Sequence, residues 1–121
     1  MATIKSFTDL SQSKTLSKIL PLESADMYRV FENNAETRVY FGKTPTAYFV
    51  SKPCWSLAAL LNILAKIASK IDDDGIANLS SFMGKWSVNM FDCPVEVTGN
   101  YDNSVDACVE MIEKLHELKM L

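Results

Sequence analysis

The sequence predicts an α+β fold in which three helices pack on one face of an antiparallel sheet of about four to five strands. Apolar residues recur at three- and four-residue steps over 57–71 and 105–115, which is the spacing of an amphipathic helix. Runs rich in β-branched and aromatic residues occupy 27–32, 37–41 and 85–91. Short turn-forming segments separate these runs, and strands joined by short turns pair antiparallel. The expected order of elements is therefore α-β-β-β-α-β-β-α.

The most apolar segment runs from Pro53 to Ile71 and predicts a core helix that is covered on more than one side. Proline is tolerated where a helix begins, so we expect Pro53 directly before this helix. Ser56 is a candidate N-cap, because its hydroxyl can accept from the exposed N–H groups of the first turn. Gly75 suits the left-handed conformation that ends many helices. The main apolar face consists of Leu57, Leu60, Leu61, Leu64, Ile67, Ala68 and Ile71.

The two outer helices carry signals at their ends. Thr8 and Asp9 are expected to open the first helix, and Pro21 ends it, because the residue before a proline avoids the helical region. Asn103 is the expected N-cap of the last helix, where Asp106 places a negative charge near the positive end of the dipole. These signals place one helix near each end of the chain.

The remaining segments predict turns and short strands. Residues 33–36, with the sequence Asn-Asn-Ala-Glu, are expected to link the first two strands into a hairpin. A third strand is expected over 47–50, and a last strand over 95–97, where valines flank a glutamate. The segment 76–84 follows neither period clearly. It is assigned to no strand and holds at most a short helical turn.

The composition indicates one globular domain, residues 1–121. Apolar residues make up 48% of the chain and charged residues 22%, which is typical of a folded protein. Its 15 acidic residues exceed its 12 basic ones, so we expect no binding to duplex nucleic acid, which favours a basic surface. The sequence shows no signal peptide and no apolar run of about 18 residues that could span a bilayer. We therefore expect a cytoplasmic protein without membrane contact.

The cysteines and acidic residues predict no metal site. Cys54, Cys93 and Cys108 are widely spaced, and the chain has a single histidine, so the ligand spacing of a zinc site is missing. The run 72–75, Asp-Asp-Asp-Gly, lacks calcium-loop spacing, because Ser81 stands where the closing glutamate is needed. The glycines form no phosphate-binding loop. We expect no metal and no cofactor, and we interpret the cysteines as reduced thiols.

Three stretches give the chain a resemblance to a known family. They are Leu20-Pro-Leu-Glu-Ser-Ala-Asp-Met27, Pro53-Cys-Trp-Ser-Leu-Ala-Ala-Leu-Leu61, and Asn103-Ser-Val-Asp-Ala-Cys-Val-Glu-Met-Ile112 followed by Leu115-His-Glu-Leu-Lys119. Together they resemble a family of short, uncharacterised proteins of gut bacteria and of their phages and prophages. In that family a proline often follows the asparagine of the last motif, where this chain has Ser104. The resemblance implies a cytosolic bacterial or viral origin and no particular activity.

Cys54 is the sharpest candidate for chemistry. A thiol just before a helix can be acidified by the helix dipole and become a nucleophile. The Cys54-Trp55 pair is similar to the start of a helix in papain-like peptidases, although Lys52 and Pro53 replace the glycine pattern of that family. His116 is the one histidine that could serve as its base. The alternative is a buried, inert thiol, since cysteine is among the most buried residue types.

Aromatic residues are the second group of candidates, because they are enriched at the hot spots of protein interfaces. Trp55, Trp86 and Tyr101 are the candidate binding residues. Tyr101 is expected to be exposed, because it lies in a loop of glycine, asparagine and aspartate residues. Tyr40 and Tyr48 are two further aromatic candidates. The alternative is that these side chains belong to the core or to the inner face of the sheet.

The leading functional hypothesis is a small intracellular interaction module, encoded by a phage or mobile element, that binds a protein partner or itself. It depends on the lack of a catalytic constellation, a metal set and a basic face. The first alternative is a thiol-dependent, hydrolase-like enzyme that uses Cys54 with His116. The second is a single-stranded nucleic-acid binder that stacks bases on sheet aromatics. An accessible, reactive thiol would distinguish the enzyme, and oligonucleotide binding would distinguish the nucleic-acid binder.

Overall fold

The computed structural model describes residues 5–32, 35–43, 50–71, 76–90 and 96–120. Within these ranges the chain forms three α-helices and six strands, which confirms the α+β class. A short 3-10 turn, Leu22–Ser24, follows the first helix. In chain order the elements are α1 (Leu10–Ser17), β1 (Met27–Glu32), β2 (Ala35–Phe41), β3 (Val50–Cys54), α2 (Leu57–Ile71), β4 (Ala77–Phe82), β5 (Lys85–Met90), β6 (Glu96–Tyr101) and α3 (Ser104–Glu117).

Several predicted features fall outside the described residues and stay predictions. They are the asparagine pair of the turn at 33–34, most of the strand over 47–50 with Tyr48, the acidic helix end at 72–75, and the segment 91–95 with Cys93. The strand predicted over 95–97 does fall partly within β6, which begins at Glu96. The last predicted strand is therefore longer than the sequence pattern indicates.

The six strands form two sheets, not the single sheet of four to five strands that the sequence predicts. The first sheet has the order β2-β1-β3 and the second has the order β4-β5-β6, and all the pairs are antiparallel. The helix α2 separates the two sets of strands along the chain. The sequence pattern identifies strands but not their partners, so it could not divide them in this way.

In the first sheet, β1 is the central strand and β3 continues further than predicted. The pairing of Met27 with Cys54 and of Tyr28 with Pro53 shows that Pro53 is a strand residue and does not directly precede α2. A proline is compatible with β3 because β3 is an edge strand, where a missing N–H leaves no ladder bond unmade. On the other side of β1, the ring of Tyr28 stacks on that of Tyr40 at 5.4 Å.

In the second sheet, β4 lies within the segment 76–84, for which the sequence predicts no strand, and it forms a hairpin with β5. Phe82 pairs with Lys85, and the two residues between them form the turn. Met83 has φ of 53° and Gly84 has φ of 77°. Positive φ at both central residues is the mark of a type I′ turn, whose twist matches that of the flanking strands. The hairpin therefore projects a methionine and a glycine at its tip.

The helices contact both sheets instead of packing on one common face. The helix α3 packs on β5, β6 and α2, while α2 contacts β4 and α1 contacts β3. Most positions of α3 from Ser104 to Ile112 are buried, whereas α2 buries one stripe and leaves Ala58, Ala65 and Ser69 exposed. The helix covered on more than one side is thus α3, although α2 is the more apolar. The largest fully buried side chains are Trp55, Leu16, Leu60, Leu64, Met111, Ile112 and Leu115.

Three predicted helix caps are confirmed by hydrogen bonds. Asp9 accepts from the backbone N–H of Gln12 at 2.8 Å, and the Gln12 side chain accepts from the Asp9 backbone, which completes a capping box. The Ser56 hydroxyl accepts from the backbone of Ala59 at 3.1 Å. Asn103 accepts from a backbone N–H in the first turn of α3 at 2.8 Å. Each cap satisfies a donor that the helix itself leaves unpaired.

Candidate functional site

The structure brings together two of the three aromatic residues predicted to bind a partner. Trp86 on β5 and Tyr101 on β6 are register partners, so their side chains lie side by side on one face of the second sheet. Both are half-buried. Trp55, in contrast, is a core residue with no exposed surface, and its Nε1–H donates to the Ser24 hydroxyl at 3.0 Å. Trp55 therefore does not belong to a binding surface in this structure.

The hairpin tip next to this aromatic pair is the most exposed apolar feature of the described chain. Phe82 is 79% exposed and Met83 is 85% exposed. Phe82 pairs with Lys85, so it points to the face of the sheet opposite to that of Trp86 and Tyr101, which pack against the core. The residues Phe82 and Met83 are named the hairpin surface below. Beside it, Lys85 forms an ion pair with Asp102, which ties the hairpin to the end of β6. Exposed apolar residues that cluster in this way are typical of a site that contacts another molecule.

The backbone at Met83 supports a role for the tip beyond folding. A left-handed conformation costs a non-glycine residue on the order of 1–2 kcal/mol, and asparagine is far better suited than methionine to the first central position of a type I′ turn. A methionine at φ of 53° is therefore strained, and its side chain is exposed as well. Strain of this kind concentrates at functional sites.

Acidic side chains of α3 lie near Tyr101. Burial raises the pKa of the Tyr101 hydroxyl, and the carboxylates of Glu110 and Glu113 raise it further. Burial also raises the pKa of Glu113, and repulsion from Glu110 and Glu117 adds to this effect. None of these three glutamates forms an ion pair with a described residue. The electrostatic field at Tyr101 is therefore negative.

A groove lies along the exposed side of α2. This groove, with a volume of about 640 Å³, separates α2 from the connector that follows α1. Ile19, Ala59, Ile63 and Ile67 give it apolar walls. The rim carries charged side chains of both signs, namely Glu23, Asp26, Lys66 and Lys70. Of the main apolar face predicted for α2, only Ile67 lines this groove, and the α2 walls Ala59 and Ile63 lie outside that face.

The structure does not bring together Cys54 and His116, the predicted nucleophile and base. Cys54 has no exposed surface, and its thiol donates to the Thr8 carbonyl oxygen at 3.4 Å. His116 is exposed near the end of α3, and no hydrogen bond connects it to Cys54. Cys108 is buried as well, and burial raises its pKa to about 12, so its thiol stays protonated at neutral pH. The two described cysteines thus have the environment of core residues.

A polar cluster joins the N-terminal segment to two helices. Lys5 Nζ lies 2.8 Å from Asp106 and 3.0 Å from Asp9, and Gln12 donates to Asp106 at 2.7 Å. Burial alone would raise the pKa of Asp106, but the hydrogen bonds from Lys5, Gln12 and Asn103 lower it on balance. The pKa of Asp9 is lowered in the same way, against the effect of burial, by its bonds to Gln12 and Lys5.

This cluster predicts a loss of stability in acid. A carboxyl group whose pKa is lowered by folding stabilises the protein above its unfolded pKa, about 3.9, and loses that contribution as the pH falls through the lower folded value. We expect Asp106→Asn to lower the free energy of unfolding by about 1 kcal/mol at pH 7 and by less at pH 3. Urea unfolding at both pH values measures this difference. Glu23→Gln, which removes an exposed carboxylate without an ion pair, is the control, and equal losses at both pH values would contradict the prediction.

Two absences hold for the part of the chain that the structure describes. No group of three histidine, cysteine, aspartate or glutamate side chains is arranged to hold a metal ion. No helix there has both the length and the apolar character needed to cross a bilayer. Comparison with protein-family models, with curated proteins and with solved structures finds no match to this chain. The structural evidence for a function therefore comes from the hairpin surface and the groove.

The sequence pattern predicts neither the exposed hairpin tip nor the groove along α2. Phe82 and Met83 lie in the segment without a clear period, although the Met-Gly pair at 83–84 is a turn signal, because glycine accepts positive φ. The groove left no local signal, because it forms where the connector meets α2 in space. Tyr101, predicted to be exposed, is half-buried, since it packs against the core below α3.

Proposed function

We propose that this chain is a small cytosolic protein-interaction module of a bacterium or phage, and that it binds its partner through the hairpin surface. The observation that carries the proposal is the exposure of Phe82 and Met83, two neighbouring apolar side chains at the tip of the hairpin. Aromatic side chains with methionine are typical of interface centres, because they bury large apolar areas. A rigid type I′ hairpin also presents them with little loss of conformational entropy on binding.

The two alternative functions receive less support from the geometry. An enzyme that uses Cys54 needs an accessible thiol and a base, and the described contacts of Cys54 are with Thr8. A single-stranded nucleic-acid binder needs cations beside its stacking aromatics. Beside Tyr101 the structure has Glu110 and Glu113, whose negative charge would repel phosphate. The protein-binding proposal is the one that agrees with the exposed apolar tip.

A substitution at the tip, with a closely matched control, tests the proposal. Phe82→Ser is expected to reduce capture of the partner from host lysate at least tenfold, because it removes an apolar anchor from the contact. Phe41→Ser is the control, since Phe41 is 78% exposed and also ends a strand, but in the other sheet. Capture by tagged protein, with and without phage infection, is measured by quantitative mass spectrometry. Equal capture by both variants, with unchanged circular dichroism, would contradict the proposal.

The strained turn gives a second test, in which stability and binding change in opposite directions. Met83→Asn is expected to raise the free energy of unfolding by about 1 kcal/mol, because asparagine adopts the left-handed conformation more readily. The same change is expected to weaken partner capture, because it removes the exposed apolar side chain. Urea unfolding measures the first effect and the capture assay the second. Ser81→Asn, in β4 just before the turn, is the control. A Met83→Asn variant that is no more stable than wild type would refute the strain argument.

A further inference from the structure

The outer side of β4 is the one unprotected strand edge in the described part of the two sheets. Natural proteins protect edge strands from pairing with other chains by means of charges, prolines or bulges. The other three edge strands carry such features, which are Glu36 and Arg38 in β2, Lys52 and Pro53 in β3, and Glu96 with a register shift in β6. In contrast, β4 has neither a charge nor a proline, and it pairs with β5 residue for residue from Ala77 to Phe82.

The backbone groups of β4 that point to this outer edge belong to Ala77, Leu79 and Ser81. Phe82 and Lys85 are the first and last residues of the type I′ turn, and such residues form a hydrogen-bonded pair. Hydrogen-bonded pairs alternate along an antiparallel ladder, so every second residue counted back from Phe82 bonds to β5 and the residues between them face away. No described strand pairs with the outer side of β4. An added extended strand would satisfy the N–H and C=O groups there.

The exposed side chains of this segment are arranged symmetrically about Leu79. If two copies pair antiparallel with Leu79 opposite Leu79, Ile76 of each copy lies opposite Phe82 of the other, and Asn78 lies opposite Ser80. Ile76 is 54% exposed and Phe82 is 79% exposed in the single chain. These four residues share one face of the sheet, because they are an even number of positions apart. The pairing therefore joins apolar with apolar and polar with polar side chains on that face.

This register is favoured over its neighbours. Ile76 and Phe82 would meet at a non-hydrogen-bonded position, where opposite side chains come closest and contribute most to strand pairing. A shift of two residues in one direction places Phe82 opposite Asn78, and a shift in the other direction places Ile76 opposite Ser80. Either shift leaves an exposed apolar side chain opposite a polar one.

We propose that the partner of this protein is a second copy of the same chain, joined to it by antiparallel pairing of β4 with β4. The inference rests on the proposed function, because Phe82 of the hairpin surface is part of the contact, and it adds the identity of the partner. The two copies of the second sheet become one continuous sheet with the order β6-β5-β4-β4-β5-β6. Both copies use the same patch, so the contact is two-fold symmetric and assembly stops at a dimer.

Removing one outward N–H tests the contact without disturbing the hairpin. Sedimentation equilibrium of the full chain should show a monomer of 13.5 kDa in equilibrium with a dimer and no larger species. Ser81→Pro removes an N–H that faces the outer edge and none that bonds to β5, which is the position where an edge strand accepts proline. It should raise the dissociation constant roughly tenfold or more, because each dimer loses two hydrogen bonds.

A charge at the edge gives a second test with a closely matched control. Ser80→Lys and Ser87→Lys add the same charge to the same face of the sheet, and both remove the hydrogen bond between these two hydroxyls. Ser80 lies on the edge strand and Ser87 on the strand behind it, so only Ser80→Lys brings two lysines together across the contact. Ser80→Lys should weaken the dimer, and Ser87→Lys should dimerise as the wild type does. If Ser81→Pro is poorly folded by circular dichroism, this pair of variants replaces it.

Cross-linking tests the register. Asn78 and Ser80 of opposite copies should lie within disulfide distance, because the Cα atoms of a non-hydrogen-bonded pair are about 4.5 Å apart. An equimolar mixture of Asn78→Cys and Ser80→Cys should therefore oxidise to a disulfide-linked heterodimer faster than either variant alone. The wild-type chain gives the background from its own cysteines. Equal rates for the mixture and for the single variants would contradict the register.

The outcomes also separate this inference from the proposed function. A wild-type chain that stays at monomer mass up to millimolar concentration overturns the inference, and so does a dimer that Ser80→Lys and Ser87→Lys affect equally. If the chain is monomeric and Phe82→Ser still abolishes capture of a different protein from lysate, the interaction module stands and only the identity of its partner is wrong. If Phe82→Ser changes neither capture nor dimer mass, both proposals are wrong.

Discussion

Replacing Trp55 by alanine is expected to lower the free energy of unfolding by about 3–5 kcal/mol, the largest effect of any single substitution considered. Trp55 has no exposed surface, and its ring contributes to the main hydrophobic core. Alanine would leave a cavity and would also remove the hydrogen bond that the indole donates to Ser24. Small domains have a total stability of about 5–15 kcal/mol, so a loss of this size removes a large share of it.

The second tryptophan is the matched control for this prediction. Trp86→Ala removes the same number of atoms from a half-buried position, so it should cost clearly less than Trp55→Ala. Urea unfolding followed by far-ultraviolet circular dichroism measures both variants. Trp55→Phe keeps a smaller aromatic ring and loses the N–H, so it should cost less than Trp55→Ala. Equal losses for Trp55→Ala and Trp86→Ala would show that Trp55 is not the core residue described here.

Leu64→Ala is expected to cost about 2–5 kcal/mol, which is the second largest effect. Leu64 is completely buried on the stripe of α2 that faces the core, and alanine keeps the helix while leaving a cavity. Leu118→Ala is the control, because Leu118 is 54% exposed just after α3 and should change the stability by no more than about 0.5 kcal/mol. Both values come from the same urea titrations. A loss below about 1 kcal/mol for Leu64→Ala would contradict the placement of this face of α2.

The parts of the fold that the sequence could predict are those with local causes. The caps Asp9, Ser56 and Asn103 accept from N–H groups two or three residues away, so the residue types at their positions are enough to identify them. The strands at 27–32 and 85–90 show alternating or β-favouring patterns that depend only on their own residues. Local chemistry therefore predicted where most elements begin.

The parts that the sequence could not predict depend on contacts between distant segments. Division into two sheets follows from which strands meet in space, and nothing in a strand's own pattern names its partner. The strand β4 is not evident from the sequence because its alternation holds only over Ala77–Ser80 and breaks at Ser81, which is exposed on this edge strand. Because proline suits a helix start, the sequence predicts Pro53 directly before α2. In the structure Pro53 pairs with Tyr28, so β3 extends through that position.

The candidate site also has features that the sequence predicts and features that depend on contacts between distant segments. Trp86 and Tyr101 could be chosen from the sequence because aromatic residues are recognisable by type. Their position side by side depends on the register of β5 and β6. Trp55 has the same residue type and a buried environment, so type alone could not separate it from the other two. The negative field at Tyr101 comes from α3, which packs across the sheet.

The strand order has a consequence for how fast the protein folds. In both described sheets each strand pairs only with strands close to it along the chain, and no pair joins the first half to the second. Closing a short loop costs less chain entropy than closing a long one, and proteins with such local pairing cross their folding barrier faster than those with distant pairing. Each sheet can therefore form on its own before the helices bring the two together. Refolding should accordingly be faster than for a single mixed sheet of the same size.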